Sequence, residues 1–384
     1  MIRQIDICGD DGMAKYLLGD IAPICQGAVP SSNQYWLLNL DMVESNTGSI
    51  LDYVYVDDSQ IGASTVSFDT RNVLYSKLRP YLNKVVLPDR AGYATSEMIP
   101  LKPDETIVVR EYLTYFLRSP HFVNYINEKT SGAKMPRANI SDLKAYEIDC
   151  PSVMEQQKIV SQFDSLRRII QVPQQQLSAL DELINARFVE MFGSIKEEQL
   201  LKNISEFVTV GIANSATHAY AEAGIPMLRN QNIKENYLDD TDLIYIKPEF
   251  AAKYESKKLK ENDIIAMRTG YPGIACLVPK KYEGCQTFTT LIVRLKAENN
   301  PSYVCSYINS DLGKKIIESG KVGVAQQNFG AKALAKMPIK IAPKELQDEY
   351  AAFVKQVDKS KFAIQKSLDE TQTLFDSLMQ QYFG

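Results

Sequence analysis

Two runs carry side chains whose hydrogen-bonding groups come in pairs: Arg229-Asn230-Gln231-Asn232 and Gln326-Gln327-Asn328. Arginine can grip guanine edges or phosphate oxygens, and Asn or Gln can grip adenine edges. Basic and aromatic residues interleave in further Gly/Pro-rich stretches. Lys77, Arg79 and Lys84 surround Pro80-Tyr81, and Lys134 and Arg137 sit in the loop from Thr130 to Arg137. Arg268 and Tyr271 flank Gly270 in Arg268-Thr269-Gly270-Tyr271-Pro272-Gly273. The candidate nucleic-acid contacts are therefore Lys77, Arg79, Tyr81, Lys84, Lys134, Arg137, Arg229, Asn230, Arg268, Tyr271, Gln326, Gln327 and Asn328. Solvated loops or capped turns are the alternative. Lys257-Lys258-Leu259-Lys260 and Lys280-Lys281 read as solvated faces that would at most touch phosphate.

Catalytic constellations are missing. There is no Gly-x-Gly fingerprint, no phosphate-loop Gly-x-x-x-x-Gly-Lys and no Asn/Asp-Pro-Pro-Tyr run. His121 and His218 stand far apart in sequence. Glu255-Ser256-Lys257, with Asp242 upstream, has the Glu-x-Lys shape of some nucleases, but such triplets are common by chance. Cysteines 8, 25, 150, 276, 285 and 305 form neither a disulfide framework nor a metal spacing. The expectation is a recogniser without catalytic residues, metal or cofactor of its own.

A net charge of -4 argues against a simple basic protein wrapping DNA. No long apolar run marks a membrane span, and the first residues lack a signal-peptide layout, so a cytoplasmic location is expected.

The elements that must position these loops come as a duplication. The halves align at an offset of 191 residues: Met191-Phe192-Gly193 falls on Tyr382-Phe383-Gly384, Tyr112-Leu113 on Tyr303-Val304, and Trp36-Leu37-Leu38-Asn39 on Met227-Leu228-Arg229-Asn230. In each half, short apolar runs such as Tyr53-Val54-Tyr55-Val56 and Leu243-Ile244-Tyr245-Ile246 are broken by Gly, Pro, Asn and Asp, which predicts strands and turns. One helix is expected at 110–119 and its counterpart at 301–318.

The period then switches. Ile159, Phe163, Leu166, Ile170, Pro173, Leu177, Leu180, Ile184, Arg187 and Met191 follow the four-three spacing of a heptad seam. The matching seam is Tyr350, Val354, Val357, Lys361, Ile364, Leu368, Thr371, Phe375, Leu378 and Tyr382. Pro173 should bend or break the first helix. Ser152 and Glu155 have capping-box spacing at its start.

The expected fold is α+β: two duplicated, mixed strand-rich recognition domains, 1–150 and 194–342, separated by a pair of long antiparallel coiled-coil-like helices, 151–193 and 343–384. The stretch 194–200 reads as a polar linker. An unbroken stripe from 159 to 191 would run about 48 Å at ~1.5 Å per residue. Two domains on such a strut suit a split DNA target, because DNA repeats every ~34–36 Å. A protein-joining scaffold and a stand-alone nuclease are the competing classes.

Several strings resemble the specificity subunits of Type I restriction–modification enzymes. They are Val73-Leu74-Tyr75-Ser76-Lys77-Leu78-Arg79-Pro80-Tyr81-Leu82-Asn83-Lys84, Ala94-Thr95-Ser96-Glu97, Pro151 with Glu155-Gln156-Gln157-Lys158-Ile159-Val160, Glu261-Asn262-Asp263-Ile264-Ile265, and the Phe-Gly ends of both helices. The second half departs where Glu345-Leu346-Gln347-Asp348-Glu349-Tyr350 replaces Glu-Gln-Gln, and it lacks Ser-Lys-Leu-Arg-Pro. The resemblance implies a non-catalytic subunit that recognises a bipartite target in double-stranded DNA. It also implies two methyltransferase subunits and restriction/translocase subunits as partners. S-adenosylmethionine, ATP and Mg2+ would be held by those partners.

Overall fold

In the computed structural model, residues 4–7, 14–132, 134–213, 217–319 and 329–384 are described. The architecture is α+β and duplicated. The chain divides into two compact units, Met1–Gln174 with Lys366–Gly384, and Gln175–Gln365. Each contains one strand-rich domain and one half of each long helix.

In the first unit the Val/Ile/Tyr-rich runs form short strands, as β-branched and aromatic residues favour. Val73–Ser76 lies between Val85–Val86 and Met98–Leu101, antiparallel to both. A four-stranded sheet orders Val54–Val56, Tyr35–Leu38, Gly92–Thr95 and Thr65–Phe68. Its Tyr35–Leu38 and Gly92–Thr95 pair is parallel, with Leu37 opposite Tyr93. Ala14–Leu17 joins Gln4–Ile7 to Glu147–Cys150.

The second unit repeats this plan. Ile264–Ala266 lies between Ala275–Leu277 and Leu291–Leu295. Ile225–Leu228 pairs antiparallel with Ile244–Ile246 and parallel with Gln286–Thr287, with Met227 opposite Gln286. Met227 thus stands where Leu37 does, so the predicted match of Trp36 to Met227 is out by one residue. The slip is larger near the start. Leu17 pairs with Glu147 as Leu200 pairs with Pro338, eight residues short of the 191-residue offset. Turns of different length absorb these differences, so the offset holds for the helices and for some strands, such as Val73 on Ile264 and Glu147 on Pro338, but not for all. Glu198–Leu200, read as linker, is a strand.

The helix expected at 110–119 is two helices, Arg110–Arg118 and Pro120–Glu128. Pro120 cannot continue the first helix but suits the first turn of the next, where Ser119 Oγ accepts from the Phe122 N–H at 3.2 Å. Its counterpart also divides, into Pro301–Asn309 and Asp311–Ser319.

Val153–Phe192 and Lys344–Phe383 are the long helices. The first continues through Pro173, contrary to a break there. Proline in a helix interior costs about 3 kcal/mol, and the flanking turns, with Ile170 and Leu177 both partly buried, hold the helix across it. Of residues 164–183, only Asp164, Leu166, Arg167, Ile170, Pro173, Leu177 and Leu180 are not exposed. The four-three seam is therefore the face the helix covers.

In the first unit, Phe163 meets Phe375 (5.3 Å between ring centroids), Tyr382 (6.1 Å) and Phe383 (5.8 Å). The start of one helix thus lies against the end of the other. In the second unit Phe188 meets Tyr350 at 5.5 Å, and Lys361 pairs with Asp181 at 2.6 Å, so the helices run in opposite directions. Toward the ends the buried face rotates off the seam onto the domain. Phe383 packs on Tyr112 at 5.2 Å, and Phe192 packs on Tyr303 at 4.4 Å. The core of the first unit therefore includes Met379 and Phe383, and that of the second includes Ile184, Phe188 and Phe192.

A buried glutamine ties each helix start to its domain. Gln156 Oε1 accepts from the Val109 N–H at 2.8 Å, and its Nε2 donates to Ile107 O (2.8 Å) and Pro151 O (2.9 Å). Gln347 Oε1 accepts from the Asn300 N–H, and its Nε2 donates to Ala342 O, both at 2.8 Å. The second helix start keeps the one glutamine that the architecture uses.

Candidate nucleic-acid interface

In the first unit the loop after Val73–Ser76 and the loop before Ile140–Lys144 run side by side. The Arg79 N–H donates to Pro136 O at 2.7 Å, and the Ala138 N–H donates to Lys77 O at 2.8 Å. Two stretches separated by about fifty residues thus bring Lys77, Arg79, Tyr81, Lys134 and Arg137 onto one rim. Arg79 (φ 49°) and Asn83 (φ 50°) are left-handed on either side of the Pro80–Leu82 turn. This conformation costs a non-glycine residue energy and often marks a functional loop.

The six cations and aromatics here are not equivalent. Arg79 is exposed, and its guanidinium makes no hydrogen bond or ion pair among the described residues. Tyr81 is 52% exposed. Lys134 is exposed. By contrast, Arg137 is held by Glu97, at 2.9 Å from Nη2 and 3.1 Å from Nε, which raises its pKa. Lys77 Nζ lies 4.0 Å from the same carboxylate. Lys84 Nζ donates to Leu40 O at 2.6 Å and is committed to the fold. Arg79, Tyr81 and Lys134 are the side chains presented outward.

In the second unit a hydrogen bond joins the two predicted loops: Asn230 Nδ2 donates to Thr269 Oγ1 at 2.8 Å. Asn230 Oδ1 is shielded from solvent and has no partner among the described residues. Arg229 is tethered, with Nη2 donating to Asp242 O (2.9 Å) and Oδ2 (3.1 Å). The Gly270-to-Gly273 loop connects Ile264–Ala266 to Ala275–Leu277 and carries Tyr271, 74% exposed, at its tip. Gly273, at φ 97°, is required: a Cβ there would lie 2.5 Å from Ile317 Cδ1. Arg268 O accepts from the Phe329 N–H at 3.0 Å. Gln326, Gln327 and Asn328 lie outside the described residues.

The two outward loops occupy the same hairpin of each unit, between Val73–Ser76 and Val85–Val86 and between Ile264–Ala266 and Ala275–Leu277. Each puts arginine and tyrosine within three residues of one another. Exposed arginine and tyrosine can bond to phosphates and base edges and stack on sugar or base faces.

Sequence reasoning named Glu97 and Asp242 in other roles and missed that these carboxylates restrain Arg137 and Arg229. Glu97 ends the resembling string Ala94-Thr95-Ser96-Glu97, but its partner lies forty residues on, beyond local pattern. Lys257 donates to Thr209 Oγ1 (2.6 Å) and Val210 O (2.8 Å), so it is a structural tie and not a solvated face. Of the Glu-x-Lys candidate, Glu255 pairs with Lys258 and Asp242 with Arg229, and the described residues hold no acid or histidine cluster able to bind a metal.

The family model for the Type I restriction modification DNA specificity domain matches twice, at residues 10–182 and 198–371. The chain belongs to that family. One match falls on each strand-rich domain and most of the helix that follows it. Over 124 residues the chain is 26% identical to the Type I restriction enzyme EcoDI specificity subunit of Escherichia coli, covering 32% of this chain and 27% of that one. Over 288 residues it is 24% identical to the Type I restriction enzyme MjaIX specificity subunit of Methanocaldococcus jannaschii, covering 65% of each. The matched stretches thus span under two thirds of either relative. The fold is that of solved members of the same systems. The S subunit of the Type-I restriction-modification system from M. genitalium aligns over 100% of this chain and 99% of its own, with TM-score 0.58 and 14% identity. A chain from a structural study of complex assembly in the type I R-M system aligns over 97% of both, with TM-score 0.56 and 15% identity. Among the described residues no helix is long and apolar enough to cross a membrane.

Proposed function

We propose that this chain is the DNA-recognition subunit of a Type I restriction–modification assembly. Each unit reads one part of a bipartite duplex target, the first through Arg79, Tyr81 and Lys134 and the second through Asn230, Arg268 and Tyr271. The observation that carries this reading is the repetition of one hairpin, with an exposed tyrosine and an arginine two or three residues before it, at the same place in both units of a specificity-family fold. The hairpins differ in sequence, so the two half-targets differ as well.

The chain supplies no catalysis. Two modification subunits methylate adenine with S-adenosylmethionine, and restriction/translocase subunits add ATP- and Mg2+-dependent movement and cleavage. Apolar side chains on the long helices support such docking: Phe362 is 74% exposed, and Leu183 and Leu374 are exposed at repeat-related positions. Partner subunits would supply phosphate contacts as well, which accommodates a net charge of -4.

Binding-site selection from a randomised duplex pool by the chain assembled with its modification partner tests this reading. A split motif with unread bases between its halves is expected. A contiguous motif, or none, refutes it.

A further inference from the structure

The two units carry clefts at related places with different chemistry. In the first unit a cavity of about 590 Å3 is lined by the turn at 44–49, Asn83, Arg118 and the helix face bearing Asp164 and Arg167. In the second a cavity of about 330 Å3 is lined by Phe188, Asn309 and Asp311, where the first has Met379, Arg118 and Pro120.

Asn309 shows what the architecture needs at this position. It accepts from the Ala275 N–H at 2.9 Å and donates to Ala275 O at 2.9 Å and Asn236 Oδ1 at 2.7 Å. An uncharged amide thereby pins Pro301–Asn309 to the neighbouring strand. Arg118 makes the corresponding tie, its Nη2 donating to Val85 O while its carbonyl accepts from Asn83 Nδ2 at 2.9 Å. The guanidinium adds a charge that this tie does not require.

That charge is poorly answered. Arg118 Nε is shielded from solvent and meets no hydrogen-bond partner among the described residues, and the same holds for Asn83 Oδ1. Burial pushes the Arg118 pKa down to about 9, and the positive charge of Arg167 adds to the effect. Three carboxylates line the same cavity, but among the described residues none pairs with Arg118 or Arg167; each accepts from a neutral donor instead. Asp164 Oδ1 accepts from the Tyr115 hydroxyl at 2.7 Å, Glu44 from the Thr47 hydroxyl, and Asp376 from Gln372 Nε2 at 2.8 Å. Arg167 Nη2 donates to Thr47 O at 3.3 Å and so holds the 44–49 turn in place. Gly48, at φ 64°, closes that turn over Arg118, since a Cβ there would overlap Val85 O and Arg118 Nη2. A buried charge facing a like charge is costly unless a counter-charge is bound, and guanidinium pairs match the geometry of phosphate oxygens.

We propose that this cleft is a binding site for a small phosphate-bearing anion, inorganic phosphate or a phosphate monoester, gripped by Arg118 and Arg167 with Arg168 at the rim. The 44–49 turn, closed over Arg118, favours a small ion over the backbone of a duplex. The site is confined to the first unit, because Asp358 holds the position of Arg167 in the second.

Isothermal titration of the full chain with inorganic phosphate, against chloride at matched ionic strength, tests this. Saturable binding is expected, weakened at least about tenfold in Arg118→Asn, which installs the residue the second unit uses, and in Arg167→Gln. Arg167→Gln changes a partly exposed helix position, so a folding defect in the first variant does not decide the outcome. Equal responses to phosphate and chloride, unchanged affinity in Arg167→Gln, or a response to duplex DNA with none to free phosphate would each overturn the proposal.

Discussion

Replacing Phe383 with alanine should loosen the domain that lies farthest from it in sequence. Phe383 follows the second strand-rich domain, yet its ring packs on Tyr112 at 5.2 Å, Phe163 at 5.8 Å and Phe116 at 6.2 Å, all in the first unit. It is 6% exposed. Truncating a buried phenylalanine costs about 3–5 kcal/mol, from lost transfer energy and the cavity left behind. At roughly 1.4 kcal/mol per factor of ten, the opening equilibrium of the first unit should rise by about two to three and a half powers of ten. Amide hydrogen exchange, followed by peptide mass spectrometry, reads this directly. Peptides from Arg110–Arg118 should lose protection by that factor, while those from Pro301–Asn309 keep theirs. Phe192→Ala should do the reverse, because Phe192 packs on Tyr303. Loss of protection confined to the second unit in Phe383→Ala, or shared equally by both units, would show that the helix ends do not complete the domains as described.

Four further outcomes are expected. Gln156→Leu strands the Val109 N–H and two carbonyls, and should lower stability by about 3 kcal/mol in denaturant titration. An unchanged midpoint would show those groups find water. Glu97→Gln releases Arg137 and Lys77, so non-specific DNA affinity should rise and its salt dependence steepen; a flat salt slope would place that rim off the DNA. Arg268→Ala should weaken or relax one half of the target and spare the other, and equal loss at both halves in binding-site selection contradicts the assignment. Leu368→Asp puts a charge at a seam position only 9% exposed, and should reduce stability and partner assembly together; retention of both in thermal melts and pull-downs would show that the seam tolerates water.

The features legible in the sequence were those with local or periodic causes. The long helices and their covered stripe followed from the four-three spacing, and even Lys361 and Thr371, polar at seam positions, lie on the covered side. Duplication was visible because helix length is fixed by packing. Strand register was not, since turns can gain or lose residues without disturbing a ladder, and Leu37 rather than Trp36 therefore matches Met227. Within the candidate interface, composition found the loops but could not rank their cations. Lys84, Arg137 and Arg229 look as available as Arg79 in sequence. Only long-range contacts with Leu40, Glu97 and Asp242 withdraw them. Gln156 was visible within a motif, but two of the three bonds that explain it reach about fifty residues back along the chain.

The make-up of the two units sets an order of events at the ribosome. Unit Gln175–Gln365 is one uninterrupted stretch, so every residue of its core has been synthesised before residue 366 is added. The other unit is synthesised first but lacks Met379 and Phe383 until almost twenty further residues have followed. Nascent chains fold unit by unit as they emerge. Here the domain that leads in translation waits with an open apolar seat around Tyr112 until the last turns of the second long helix reach it. A truncation between 366 and 379 would leave the second unit whole and the first exposed to chaperones and proteases.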